Sequence, residues 1–141
     1  MSARTASLLL LSALAAAAAG CSPDKVPTVD SNTAPTSRYK DEIIDALKKN
    51  VFEKNDTLTV SNAMISDPAL QPVGGEQHYA VCVRYTAHGT VYNITGSAER
   101  IGYFFAGHLN QLIEASEGQC AKAVYKPFPE LNQVCLGKGC K

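Results

Sequence analysis

The sequence predicts an α+β domain: one N-terminal amphipathic helix packed on an antiparallel sheet of three to five strands, with an irregular, disulfide-pinned C-terminal tail. Three observations carry this. Tyr39, Ile43, Leu47 and Val51 recur at every fourth position, the period of a helix face. From Leu58 to Ala115 the apolar residues recur at every second position instead, the period of a half-buried strand. Beyond that point the chain, with Pro127-Phe128-Pro129, Gly137 and Gly139, follows neither period. A helical stripe followed by a meander is buried by laying the helix across one face of the sheet, which makes a two-layer sandwich.

The helix is expected from about Ser37 to Lys54, with Ile44 and Phe52 widening its stripe and Ser37 as N-cap. Asp41 and Glu42 in its first half and Lys48, Lys49 and Lys54 in its second suit the helix dipole, so these charges need no functional explanation. Leu58, Val60 and Met64 alternate with Thr57, Thr59 and Ser61 in a first strand that ends at Asp67-Pro68. Pro68, Pro72, Gly74 and Gly75 mark a loop. Tyr79, Val81, Val83 and Tyr85 alternate with His78, Ala80, Cys82 and Arg84 in the strongest strand pattern of the chain, which belongs in the centre of the sheet. After a turn at His88-Gly89, residues 90 to 95 pair loosely. Arg100 to Ala106 and Leu109 to Ala115 then form a hairpin around Gly107-His108. This order of elements looks like that of cystatin-like folds, and such a likeness of order does not fix function.

A chain of 141 residues is sized for a single domain. Lys plus Arg and Asp plus Glu each number 13, so the formal net charge is zero and no electrostatic attraction to nucleic acid is expected. Hydrophobic residues at 45% and charged ones at 18% match a packed globular chain rather than a disordered one.

Residues 1–20 read as an export signal: one cation, Arg4, precedes an uncharged apolar stretch from Ala6 to Ala19 centred on Leu8 to Leu11. The stretch is short for a permanent span, which needs about 20 apolar residues. It ends in Ala18-Ala19-Gly20-Cys21, which resembles the lipobox of bacterial lipoproteins. Ala18 stands where that motif prefers Leu or another larger apolar residue. The resemblance implies cleavage before Cys21, a thioether-linked diacylglycerol on its sulfur and a palmitate-type chain on the new amine. Ser22 rather than Asp after the Cys implies, by the same resemblance, delivery to the outer membrane, facing the periplasm. The competing reading is a soluble secretory signal cut near Ala19. Residues 21–37 then form the lipidated end and a flexible tether rich in Pro and small polar residues, and 38–141 the single periplasmic domain.

Cysteine parity separates the two readings, because five Cys leave one unpaired whereas setting Cys21 aside leaves four. Cys82, Cys120, Cys135 and Cys140 allow three pairings in an oxidising compartment, and the favoured one joins Cys82 to Cys120 and Cys135 to Cys140. The first bond would staple the tail to the sheet. Redox chemistry is not expected, since neither spacing is Cys-x-x-Cys. No cofactor and no metal site are expected: the ligand pairs of zinc sites are missing, and His78 and Cys82 lie roughly 13 Å apart along one strand.

His78, His88 and His108 are expected at a strand start and in two turns, solvated rather than catalytic. Gly96-Ser97-Ala98-Glu99 lacks the closing Gly of a nucleophile elbow, and the carboxylates are spread singly rather than paired for glycoside hydrolysis. Phe104 and Phe105 should point to opposite faces of their strand, leaving the face away from the helix partly apolar and able to dock a partner or the Pro127-Phe128-Pro129 tail. The overall plan resembles small uncharacterised lipoproteins of Gram-negative bacteria. The expected function is a lipid-anchored envelope lipoprotein working as a non-catalytic binding or scaffold module, with the membrane and an envelope protein as its partners. The alternative is a disulfide-stapled inhibitor of an exported hydrolase, whose projecting loop would be Pro68 to Gly75.

Overall fold

The computed structural model of the chain describes residues 30, 32–49, 58–89 and 95–134. In order these form α1 (Tyr39–Leu47), β1 (Leu58–Ser66), β2 (Ala69–Val73), β3 (Glu76–Gly89), β4 (Thr95–Phe105), β5 (His108–Glu114), β6 (Tyr125–Pro127) and α2 (Pro129–Asn132). All six strands join one antiparallel sheet, in the order β5-β4-β3-β1-β6, with β2 also paired to β3.

The strand count exceeds the expected three to five because the segment read as a loop, Pro68 to Gly75, contains β2. Its prolines were the reason for that reading, yet an edge strand tolerates Pro wherever the missing N–H would point outward. Gly74 and Gly75 have φ of 60° and 90°, the pair of positive values that a two-residue type I′ hairpin turn demands. β1 and β2 run end to end along β3. The register passes from Ser61↔Thr86 to Met64↔Arg84, and from Ile65↔Val83 to Ala69↔Ala80, so each step inserts one extra residue opposite β3.

The first of these bulges changes which side chains are buried. Leu58 and Val60 face the core, Asn62 takes a φ of 53°, and the buried residues then become Ala63 and Ile65. Met64 therefore lies on the opposite face from Leu58 and Val60, contrary to the simple alternation. The backbone groups freed by the bulge find partners in the C-terminal segment: Ala63 N–H donates to Asn132 Oδ1 at 3.0 Å, and Phe128 N–H donates to Ala63 O at 2.8 Å. At the second bulge Cys82 N–H donates to the buried Ser66 Oγ at 2.9 Å.

β3 is central and buried on both faces, and the strand continues through His88-Gly89, where a turn was expected. Residues 90–94 lie outside the described residues. On one face Val81, Val83 and Tyr85 pack with Ile43, Ile44 and Leu47 of α1 and with Phe104, Phe128 and Leu131. Tyr39 meets Phe104 edge-on with ring centroids 6.4 Å apart. The helix has Arg38, not Ser37, at its N-cap position with no side-chain cap, and it is the Thr36 hydroxyl that accepts from Arg38 N–H, at 3.4 Å. The expected continuation through Val51 and Phe52 to Lys54 lies outside the described residues. Glu42 ties α1 to the sheet by accepting Leu109 N–H at 2.6 Å and meeting His108 Nδ1 at 3.1 Å.

The β4–β5 turn falls at Ala106-Gly107 rather than Gly107-His108, with φ of 52° and 82°. Residues 33–36, expected within the flexible tether, lie across this turn: Thr36 N–H donates to Gly107 O at 3.3 Å, and a Cβ on Gly107 would sit 3.2 Å from Ala34 O. Two substitutions one residue apart should therefore act in opposite directions. Ala106→Gly relieves a left-handed conformation that costs an L-residue about 1–2 kcal/mol, less the extra entropy of an unfolded Gly, so a gain of about 0.5–1 kcal/mol is expected. Gly107→Ala should cost at least about 1–2 kcal/mol. Urea unfolding of both variants checks the signs, and equal shifts would refute this account of the turn.

Candidate functional site

The sheet face away from α1 has its own small core of Ala80, Cys82, Ile101 and Cys120, with Tyr103, Ile113, Ala115, Ala123 and Tyr125 around it. Among the described residues no helix covers it. The cover is the turn-rich segment from Ser116 to Val124, held by the Cys82–Cys120 disulfide, whose Cα atoms are 5.9 Å apart. Both sulfur-bearing residues are buried, which makes the bond a structural staple. Cys21, Cys135 and Cys140 lie outside the described residues.

This segment turns back on itself through Gln119 N–H to Ser116 O, Ala121 N–H to Gly118 O and Ala123 N–H to Cys120 O. Gln119 anchors it sideways: its Oε1 accepts Ser116 N–H at 2.7 Å, and its Nε2 donates to the Tyr103 hydroxyl at 3.2 Å. Beyond it Tyr125 O–H donates to Glu99 Oε1 at 2.5 Å, and the Arg84 guanidinium stacks over the Tyr125 ring at 4.4 Å. Burial, followed by the hydrogen bond to Glu99 and its negative charge, pushes the Tyr125 hydroxyl pKa well above its ordinary value. These are the contacts of a positioned structural tyrosine.

Between this segment and β2 lies a cleft of about 680 Å³, within the usual range for small-ligand sites. Its walls are Pro68 to Pro72 on one side and Gly118 to Val124 on the other, with Ser66, Cys82 and Tyr103 also lining it. Leu70 and Val124, on opposite walls, are 51% and 75% exposed, so each wall carries one large apolar side chain open to solvent. Lys122 supplies a cation, while Asp67 is engaged by Lys126. β2 has no strand partner on its outer edge among the described residues. With Val73 and Glu76 flanking the turn as a hydrogen-bonded pair, the outward backbone groups of β2 fall on Leu70 and Pro72, and Pro72 has no N–H to offer. The edge thus presents one donor and two acceptors.

The three histidines are dispersed. His78 approaches the Glu76 carboxylate at 3.6 Å, His108 meets Glu42, and His88 Nε2 lies 3.0 Å from Ser61 Oγ at the other end of the sheet from the Gly74-Gly75 turn. His88 and His108 are strand residues rather than turn residues. Among the described residues no group of three or more His, Cys, Asp and Glu could hold a metal ion. Phe104 and Phe105 do face opposite ways, buried and 46% exposed, but Phe128 packs on the α1 side with Phe104, so the tail does not cover Phe105. Pro68 to Gly75 is a paired strand and tight turn rather than an irregular loop. The cleft escaped the sequence reading because β2 did; Leu70 between two prolines was the available signal. No protein-family model, curated protein or solved structure matches the chain.

Two measurements follow. The disulfide spans a sequence separation of 38, so the Cys82→Ala, Cys120→Ala double variant should lose about 4 kcal/mol by the chain-entropy account. Urea unfolding checks this, and a loss below about 1 kcal/mol would show that packing alone holds the segment. For Tyr125 the folded pKa is raised, so its contribution is complete below the unfolded pKa of about 10 and fades as pH rises through the folded value. The stability gap between the parent and Tyr125→Phe should be flat from neutral pH to about pH 10 and shrink above it.

Proposed function

We propose that this chain is a lipid-anchored cell-envelope lipoprotein that works as a non-catalytic binding or scaffold module, facing the periplasm from the outer membrane. The observation that carries the reading is Ala18-Ala19-Gly20-Cys21 at the end of an uncharged apolar stretch. The Cys82–Cys120 cross-link supports it twice: a buried structural disulfide fits an exported protein, and it removes two of the five cysteines in a count that balances once Cys21 is lipidated. Cys135 and Cys140 then make the second pair. Three acyl chains, each contributing about 0.8 kcal/mol per buried CH₂, hold such a protein on the bilayer without a spanning helix.

Binding is assigned to the cleft beside β2. Its walls carry apolar side chains, and its edge carries backbone acceptors that have no strand partner among the described residues. A partner polypeptide from the envelope fits this mixture better than a small charged metabolite, because an extended segment could use both the edge and the apolar walls.

Lipidation is tested by mass spectrometry of the mature N-terminal peptide, which should begin at Cys21 and carry the diacylglycerol and amide-linked acyl masses; an unmodified N-terminus near Ala19 would refute the anchor. Binding is tested by crosslinking in intact envelopes, with Cys21→Ala and a Leu70→Glu, Val124→Glu variant as controls. One dominant adduct lost in both controls is the expected result, and an adduct indifferent to the cleft variant would move the binding surface elsewhere.

A further inference from the structure

The two glycine turns of the sheet lie at the same end. β3 begins just after Gly74-Gly75, β4 ends just before Ala106-Gly107, and the register Tyr79↔Phe104 sets these two ends side by side. The first described residues of the chain are at that end too. Asp30 closes a small turn by accepting Thr33 N–H on its carbonyl and Asn32 N–H on its carboxylate, and residues 33–36 then cross Gly107. The covalent route to the lipid therefore leaves the domain beside the β4–β5 turn.

Nine peptide units join Cys21 to Asp30, a covalent path of at most about 32 Å. β3 alone, at 14 residues, is about 45 Å long. The leash is shorter than the domain it holds, so the domain cannot present its ends to the bilayer indifferently. At the leashed end, Phe105 sits one residue before the turn with its ring 46% exposed. The described ionisable side chains near it include Glu76, His78, His108, Glu42 and Asp30, and the two cations at the start of α1 are engaged, Arg38 by Asp41 and Lys40 by Glu130. Such a surface offers nothing to a strongly anionic membrane and little repulsion to a zwitterionic one.

We infer that the end of the sheet bearing Gly74-Gly75 and Ala106-Gly107 rests on the lipid surface, with the Phe105 ring in the headgroup boundary, and that the domain stands upright with Gly89 and Gly96 farthest from the membrane. This rests on lipidation of Cys21. It makes the exposed phenylalanine a membrane contact and not a protein-docking residue. It also sets the β2 cleft along the side of the upright domain, open to partners that approach parallel to the bilayer.

The sequence contains no Trp, which allows a clean test. The full-length protein carrying Phe105→Trp, Gln77→Trp or Ser97→Trp is purified with its acyl chains verified by mass and placed in dioleoylphosphatidylcholine vesicles with or without brominated acyl chains. Ser97 is exposed near the far end of β4, and Gln77 is exposed beside the Gly74-Gly75 turn. A ring seated about 5–10 Å into the boundary should show blue-shifted emission and at least about twofold stronger bromine quenching in Phe105→Trp than in Ser97→Trp, with Gln77→Trp also above Ser97→Trp. Lipidated protein in which all three reporters emit as in water, or in which Ser97→Trp is quenched most, overturns the orientation and leaves the anchor standing. An N-terminus without acyl chains overturns both. Gln77→Trp keeps the test informative should Phe105→Trp fail to fold.

Discussion

Every buried amide needs a partner, and the long β1–β2 ribbon is where this requirement organises the molecule. Even a strand that matched β3 residue for residue would turn every other N–H and carbonyl toward its opposite edge. The two inserted residues change which groups those are. At the first, the N–H and carbonyl of Ala63 turn away from β3 and are met by Asn132 and Phe128, which brings the C-terminal segment onto the α1 face. At the second, the Cys82 amide is met by Ser66 Oγ. An unmet buried amide costs about 1–3 kcal/mol, so the bulges and the segments that fill them stand or fall together. Phe128 and Leu131, fully buried, add the apolar half of the same attachment.

The two faces of the sheet are consequently stabilised by different physics. The α1 face is a continuous apolar core with large side chains: Tyr85, Phe104, Phe128, Ile43 and Leu47. The opposite face buries four small or medium residues and is closed by a covalent bond and by hydroxyl-to-amide and hydroxyl-to-carboxylate contacts. Hydrophobic burial scales with apolar area at about 25 cal/mol per Å², so a thin segment rich in Ala and Gly cannot hold itself down by burial alone. The disulfide lowers the entropy of the unfolded chain and supplies what area does not.

Much of this was legible in the sequence. The alternation from His78 to Thr86 placed β3 at the centre, the place of Cys82 in mid-strand and of Cys120 just after the last strand favoured their bond among three possible pairings, and Phe104 and Phe105 read correctly as opposite-facing. What escaped was set by backbone conformation rather than hydrophobic pattern. A single left-handed residue, Asn62, exchanged the buried and exposed sets downstream of it, and no periodicity analysis sees such a step. Pro72 hid β2 because the penalty for Pro depends on whether its nitrogen faces a neighbour or solvent, which is a property of the pairing and not of the residue. The Ser61–His88 and Tyr125–Glu99 contacts join residues 27 and 26 positions apart and exist only once the register is known.

The cleft follows from the mismatch between the two faces. Covering a sheet whose central strand is 14 residues long takes a helix or a second sheet, and α1 and α2 are both spent on the other side. The segment from Ser116 to Val124, fixed at Cys120, spans the middle of the face and reaches neither of its ends nor the outer edge of β2. A cover of that length leaves a gap beside β2, which continues the edge of the sheet along β3 beyond the end of β1. Leu70 and Val124 face that gap because filling it would take side chains that neither strand nor segment supplies. Closing the cleft would require a longer covering segment, and each added residue would cost about 1–2 kcal/mol of backbone entropy to order, which only further apolar burial could offset.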